Sequence, residues 1–257
     1  MTFYLALGGL VILAAWRAGS LSASGAVAAA LIGTAAAAAG GQWVMLLLAY
    51  FVSSSMLSRL GRRRKLERTA GMIAKAGPRD AAQVLSNGVV FGLAATACVF
   101  EPPPELWLII GTGALAASAA DTWATEIGTL LGGAPRSILT GRKLPVGASG
   151  GVTAAGLLAS VAGAAFVTFF ASLNSRYFIW IVIAGVLGAL ADSVAGAILQ
   201  KRLWCDACGT MTEMDIHSCG ARTRRIGGLA FMENDAVNLL ATIVGAAAAF
   251  LFVGAFA

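Results

Sequence analysis

The run Ala120-Asp121-Thr122-Trp123-Ala124-Thr125-Glu126-Ile127-Gly128 closes a long apolar stretch of the chain. Asp121 and Thr125 stand four apart, as do Thr122 and Glu126, so a continued helix presents them as two adjacent polar ridges. Two carboxylates with two hydroxyls between them form an oxygen-only ligand set, which suits a hard cation such as Mg2+. An acid at the end of an apolar helix is costly unless it is paired or functional. The arrangement recurs in Ala191-Asp192-Ser193-Val194-Ala195, where Asp192 and Ser193 lie inside an apolar span among small neighbours. The match between residues 120–124 and 191–195 suggests an internal duplication. A third set, Glu233-Asn234-Asp235-Ala236-Val237-Asn238, opens the last apolar stretch. Asn234 or Asp235 can cap that helix. Asn238 lies one turn further on the same face, so the group reads as ligand contacts around the carboxylate of Asp235. Asn87, with Gln83 and Ser86, occupies the first turns of another apolar stretch.

The turn Gly147-Ala148-Ser149-Gly150-Gly151-Val152-Thr153 precedes an apolar helix. Glycines there leave backbone amides free and let a phosphate approach the positive helix end. Arg136, Arg142 and Lys143 just upstream supply countercharge. Arg62, Arg63, Arg64, Lys65 and Arg68 follow one another closely; they read as a lipid-headgroup patch or as a funnel for a phosphorylated ligand. Cys205-Asp206-Ala207-Cys208, followed by His217-Ser218-Cys219, offers four ligands for a tetrahedral Zn2+ that would fold a loop without a core of its own. Free thiols and a redox pair are the alternatives. Cys98 reads as a small buried hydrophobe.

The elements that must position these groups are apolar stretches at roughly 3–16, 21–39, 42–57, 81–100, 106–120, 152–173, 177–199 and 236–256. Of the 18 Lys and Arg residues, all but Arg176 fall in alternate gaps between these stretches. The positive-inside rule puts those gaps in the cytoplasm and both termini outside. Hydrophobic residues make up 58% of the chain and charged residues 12%, outside the range of soluble domains. The net charge of +6 sits in the basic gaps, so it bears on orientation and anionic ligands and not on nucleic acid. Abundant Gly and Ala suit close helix packing in lipid. The expectation is an all-α integral membrane protein, a bundle of about eight transmembrane helices forming one polytopic domain over 1–257. A cytoplasmic Cys/His loop spans 200–228, and a polar site opens to the cytoplasm. In a prokaryote the location is the plasma or inner membrane. The first apolar stretch reads as a retained helix and not as a cleaved signal peptide.

The motifs at 120–128, 147–153, 191–197 and 234–238 together resemble one group, the integral-membrane family formerly called domain of unknown function 92 (transmembrane protein nineteen and phytyl-phosphate kinase-like). The resemblance spans most of the chain in the same order. It implies nucleotide-dependent phosphorylation of a prenyl or phytyl monophosphate to the diphosphate, with CTP favoured over ATP as donor. A monophosphate already carries an anionic nucleophile, so the reaction needs alignment and charge neutralisation more than a base. On that reading Asp121, Glu126, Asp192 and Asp235 are the catalytic acids that hold Mg2+. Asn87, Thr122, Thr125, Ser193, Asn234 and Asn238 contact phosphate or metal-bound water. Arg142 and Lys143, with the turn Gly147, Ser149, Gly150 and Gly151, clamp the nucleotide. No Gly-x4-Gly-Lys-Ser/Thr loop is present, so the nucleotide site would be unconventional. The alternative function is an ion-coupled carrier or flippase for prenyl phosphates or other small anions.

Overall fold

A computed structural model of the chain describes all residues except Ala76, Ser172, Asn174 and Ala257. Each apolar stretch forms a helix: α1 (Thr2–Arg17), α2 (Ala23–Ala39), α3 (Gly41–Arg59), α5 (Ala81–Phe100), α6 (Pro104–Leu131), α7 (Ala154–Phe170), α8 (Ser175–Ile198) and α9 (Asn234–Phe256). A short basic helix, α4 (Arg62–Arg68), lies in the third connection. Among the described residues, Gly41–Arg59, Ala81–Phe100, Ser175–Ile198 and Asn234–Ala255 are long and apolar enough to cross a membrane. The helices Thr2–Arg17, Ala23–Ala39 and Ala154–Phe170 are apolar but shorter. The expectation of eight spans is therefore met only in part: four helices are long and apolar enough to cross a membrane.

The helix through Asp121 runs on to Leu131, so Asp121, Thr122, Thr125 and Glu126 lie on the continued helix that their spacing implies. Two expectations need correction. The chain is not purely helical. An antiparallel pair, β1 (Arg136–Ser137) and β2 (Gly151–Val152), closes the 132–153 connection. A three-stranded antiparallel sheet of β3 (Arg202–Cys205), β4 (Thr210–Thr212) and β5 (Arg224–Gly227), in the order β4-β3-β5, fills the connection between α8 and α9. Finally, Cys98 is only half-buried. As for the duplication, α6 packs on α7 and α8 on α9. The two pairs nevertheless carry unlike connections and helices of 28 and 24 residues, so the fold does not establish a repeat.

The core is rich in small residues packed around a few large ones such as Trp43, Phe91 and Ile181, while many other large groups face outward. From Gly111 to Ala120 every residue of α6 is buried. An added Cβ at Gly113 would lie 2.6 Å from the Gly245 carbonyl of α9, and one at Gly188 of α8 would lie 2.4 Å from the Ala117 Cβ. Leu31, Leu93, Leu158, Phe169 and Leu251 meanwhile face outward. This pattern is the one expected where lipid replaces water, since burying large apolar groups gains little there and close backbone approach gains dispersion.

The alternation of helix directions gathers four connections at one end of the bundle: 18–22, 60–80, 132–153 and 199–233. They are tied to each other directly. Ser22 N donates to the Arg79 carbonyl and Arg79 N to the Ser20 carbonyl, both at 3.0 Å. Arg68 donates to the Thr129 and Gly132 carbonyls at 2.6 and 2.7 Å, satisfying free acceptors at the end of α6.

Candidate functional site

Several of these helices begin with local devices that hold their first turns in place. Asp80 accepts from Gln83 N at 2.9 Å while the Gln83 side chain accepts from Asp80 N at 3.1 Å, a capping box that starts α5. Asn87, one turn later, donates to the Gln83 carbonyl at 2.9 Å, and its own carbonyl accepts from Ser118 of α6 at 2.8 Å. Thr153 caps α7 by accepting from Gly156 N at 3.0 Å. The turn before it is pressed onto α8. A Cβ on Gly150, whose φ is +76°, would meet the Ala197 backbone at 2.8 Å, so glycine is required on both steric and conformational grounds.

Between these elements lies a polar cavity of about 750 Å3, a size common for small-molecule sites. Asn87, Asp121, Thr122, Thr125, Glu126, Gly147, Ser149, Gly150, Gly151, Asp192, Ser193, Asn234, Asp235 and Asn238 all border it. Residues from four helices and one glycine turn, far apart in sequence, thus share one chamber at the end where the basic connections gather. Arg142 and Lys143 do not join them. Both are exposed in the turn beyond β1, outside the lining, because the hairpin β1–β2 carries that turn away from the chamber. The cations that do line it are Arg59, Arg62, Lys65, Lys75, Arg79 and Lys201.

Lys65 is the most informative of these. It is buried, and its ammonium donates to the Leu57 carbonyl at 2.7 Å and the Ser58 carbonyl at 3.1 Å, at the negative end of α3. It also pairs with Glu126, which accepts a further hydrogen bond from Ser58. Glu126 is therefore committed to Lys65, which takes it out of the expected set of free cation ligands. Asp235 is shared in a similar way: Lys75 Nζ bridges Asp235 at 2.7 Å and Asp80 at 2.8 Å, tying the start of α9 to the cap of α5. Burial opposes the Lys75 charge, but hydrogen bonds to Asp235 and Asp80 hold its pKa above the ordinary lysine value. Asp80 is held below the usual carboxylate range, chiefly by Lys75.

Two atoms in this network have unused capacity. Asp192 Oδ2 and Asp235 Oδ1 are buried without a hydrogen-bond partner. A buried carboxylate oxygen costs a few kcal/mol when unpaired, and an oxygen-only, acid-rich lining is what Mg2+ selects. The four expected metal acids do not form a tight cluster of their own. A cation here would accordingly rest on one or two carboxylates, with ligand oxygens and water completing its shell, which is the usual Mg2+ arrangement.

Sequence reasoning missed Glu213, which reaches the chamber from the loop after β4. It accepts hydrogen bonds from Ser149 and, at 2.8 Å, from the buried Gln200. Burial pushes its pKa up, against the Ser149 hydrogen bond. Nothing in its local sequence marks it, because its partners lie 64 and 13 residues away. Lys201, paired with Glu233 at 2.9 Å and Asp215 at 3.2 Å, was equally invisible. Arg79 carried a signal, since it directly precedes the Asp80 cap.

The Cys/His group lies in the same connection between α8 and α9, with Cys205 at the end of β3. The ligand atoms of Cys205, Cys208, His217 and Cys219 all lie within 4.8 Å of one another. His217 brings the Cys219 thiol down to about 6 through a hydrogen bond, while Cys208, sharing a proton with Cys219, is pushed up to about 11.

Comparison with known proteins agrees with an integral membrane protein. Protein PGR of Arabidopsis thaliana is 29% identical, the alignment covering 95% of this chain and 93% of that protein. An uncharacterized membrane protein of Methanocaldococcus jannaschii is 28% identical over 76% of this chain and 70% of its own length. Another, from Synechocystis, is 31% identical over 60% of this chain and 61% of its own. No solved structure matches. The family model for the integral membrane protein DUF92 matches residues 6–246, and the chain belongs to that family.

Proposed function

We propose that the protein is a membrane-embedded phosphotransferase that converts a prenyl or phytyl monophosphate to the diphosphate, with a nucleoside triphosphate, CTP by preference, as donor. The observation that carries this reading is Asp192, a buried acid with an unpartnered oxygen, bordering the same chamber as Asp121 beneath a rim of cations. Such a lining suits a monophosphate and a triphosphate held together, not an isolated apolar ligand. A phosphate oxygen of the monophosphate attacks the terminal phosphorus of the triphosphate, and the bond from that phosphorus to the bridging oxygen breaks. The products are the prenyl diphosphate and the nucleoside diphosphate, and no general base is needed.

Asp121 and Asp192, with Asp235 at the rim, would hold Mg2+, which when bound neutralises phosphate charge. Lys75, Arg79 and Lys201 attract and orient the phosphates in place of Arg142 and Lys143. Asn87 and Asn238 offer amide groups at the chamber wall, while Gly150 lets the turn before α7 lie against α8. The apolar tail of the acceptor would lie along the helices. The chamber faces the cytoplasm and both termini lie outside, as the basic connections require.

The test uses protein in lipid nanodiscs with Mg2+, labelled CTP or ATP, and prenyl monophosphates of several lengths. Labelled diphosphate should form and should disappear in Asp121→Asn and Asp192→Asn. An unpartnered acid in a membrane helix is also a feature of ion-coupled carriers. Binding of prenyl phosphate without any transfer, together with its movement across vesicles, would replace the kinase reading with that one.

A further inference from the structure

We infer that the connection between α8 and α9 is a zinc-folded cap, in which the thiolates of Cys205, Cys208 and Cys219 and the Nδ1 of His217 hold one Zn2+ that fixes Glu213 against the polar chamber. The geometry is close to what the ion requires. Zn–S bonds of about 2.3 Å and a Zn–N bond of about 2.0 Å put tetrahedral neighbours about 3.5–3.8 Å apart. The Cys205 and Cys219 sulfurs are 3.6 Å apart, too far for a disulfide, and His217 Nδ1 is 3.3 Å from the Cys219 sulfur.

The backbone delivers these atoms through two turns that each end in a left-handed glycine. Gly209 N donates to the Cys205 carbonyl at 2.9 Å and Gly220 N to the His217 carbonyl at 2.8 Å, with φ of +63° and +84°. The bridge Cys205↔Thr210 closes the first turn and Ile216↔Arg222 the second.

The segment has little else to hold it. Across 200–228 the buried side chains are Gln200, Leu203, Cys205, Thr212 and His217, with a single large aliphatic group among them. A core that small does not fold alone, whereas a structural zinc supplies folding free energy directly. The cap is nevertheless placed with care. Glu213 N donates to the Met72 carbonyl at 2.8 Å, and the other ring nitrogen of His217 faces Gly71, leaving Nδ1 for the metal. At its base, Gly228 sits so close to the Gln200 carbonyl that a Cβ would lie 1.9 Å from it. The ligands and Glu213 thus belong to one connection, from which Glu213 reaches Ser149 and Gln200 at the chamber.

The full chain, purified in detergent with a tag that binds no metal, should contain about one zinc per chain by mass spectrometry. Cys208→Ser, an exposed ligand, should lower that content at least about tenfold. In the wild-type protein a zinc chelator should speed alkylation of Cys208 and Cys219 about tenfold or more and open 200–228 to protease while the helices stay intact. Absence of zinc, an equivalent of iron in its place, or alkylation and proteolysis rates unmoved by the chelator would each overturn the inference. None of these readouts depends on the proposed phosphotransfer, so either reading can fail alone.

Discussion

Asp192 and Glu126 show how environment separates acids that look alike in sequence. Glu126 has Lys65 and Ser58 as partners, whereas one oxygen of Asp192 has none. Asp192→Asn should therefore leave thermal stability in detergent unchanged or about 1 kcal/mol higher, since it removes a buried charge, while abolishing transfer. A large loss of stability would show that Asp192 is structural. Lys65→Met should cost about 3 kcal/mol, because Glu126 is left charged, and adding Glu126→Gln should recover part of that loss. The cycle is read from unfolding midpoints. Glu213 supplies the pH dependence. Its folded pKa is raised above the ordinary 4.5 by burial, so the protonated form is favoured in the fold. Its contribution is fully present below 4.5 and is lost as pH rises through the folded value. The melting temperature of Glu213→Gln, compared with wild type across the acid-to-neutral range, should fall less as pH increases. Parallel curves would remove Glu213 from this account.

At the scale of elements, the helices meet through glycine and alanine, and contact geometry decides which glycines matter. An added methyl at Gly188 would lie 2.4 Å from the Ala117 Cβ and 2.8 Å from the Ala241 carbonyl, so α8 must move away from α6 and α9. Gly188→Ala should cost about 2 kcal/mol, within the range for overpacking. Gly33 of α2 has nothing within 4 Å of its would-be Cβ, and there alanine gains up to about 1 kcal/mol of helix propensity. Detergent melts of the two variants should shift in opposite directions. Because α6, α8 and α9 also carry Asp121, Asp192 and Asn238, Gly188→Ala should weaken transfer even where the protein remains folded.

For the whole molecule, the alternation of helices sends every basic connection to one end and both termini to the other. A reporter enzyme active only outside the cytoplasm, fused after the last helix, should be active. The same reporter inserted in the exposed turn at Arg142 should be silent. The reverse pattern would invert the proposed orientation and put the chamber on the outer side. The connections at the chamber end are held by polar contacts between segments distant in sequence, such as Ser22 N with the Arg79 carbonyl and Lys75 with Asp235. Loss of one such contact should loosen the chamber without unfolding the bundle, whose packing is apolar.

What the sequence by itself determined was the set of apolar helices, the end at which polar groups collect, and many of the polar groups that border the chamber. Each of these follows from local information: apolar length, the spacing of Asp and Thr on one helix face, glycine before a helix, and the placement of Lys and Arg. Only the tertiary structure decided which charges are free and which are spent. Lys65 reaches Glu126 across 61 residues, and Glu213 reaches Ser149 across 64. Arg142 and Lys143, close in sequence to the glycine turn, are carried away by the β1–β2 hairpin. Side-chain pairing depends on where helices cross, and crossing is set by contacts between surfaces that no local spacing encodes. The sequence could therefore list the acids of the site, but only the fold could say which of them remain available to bind.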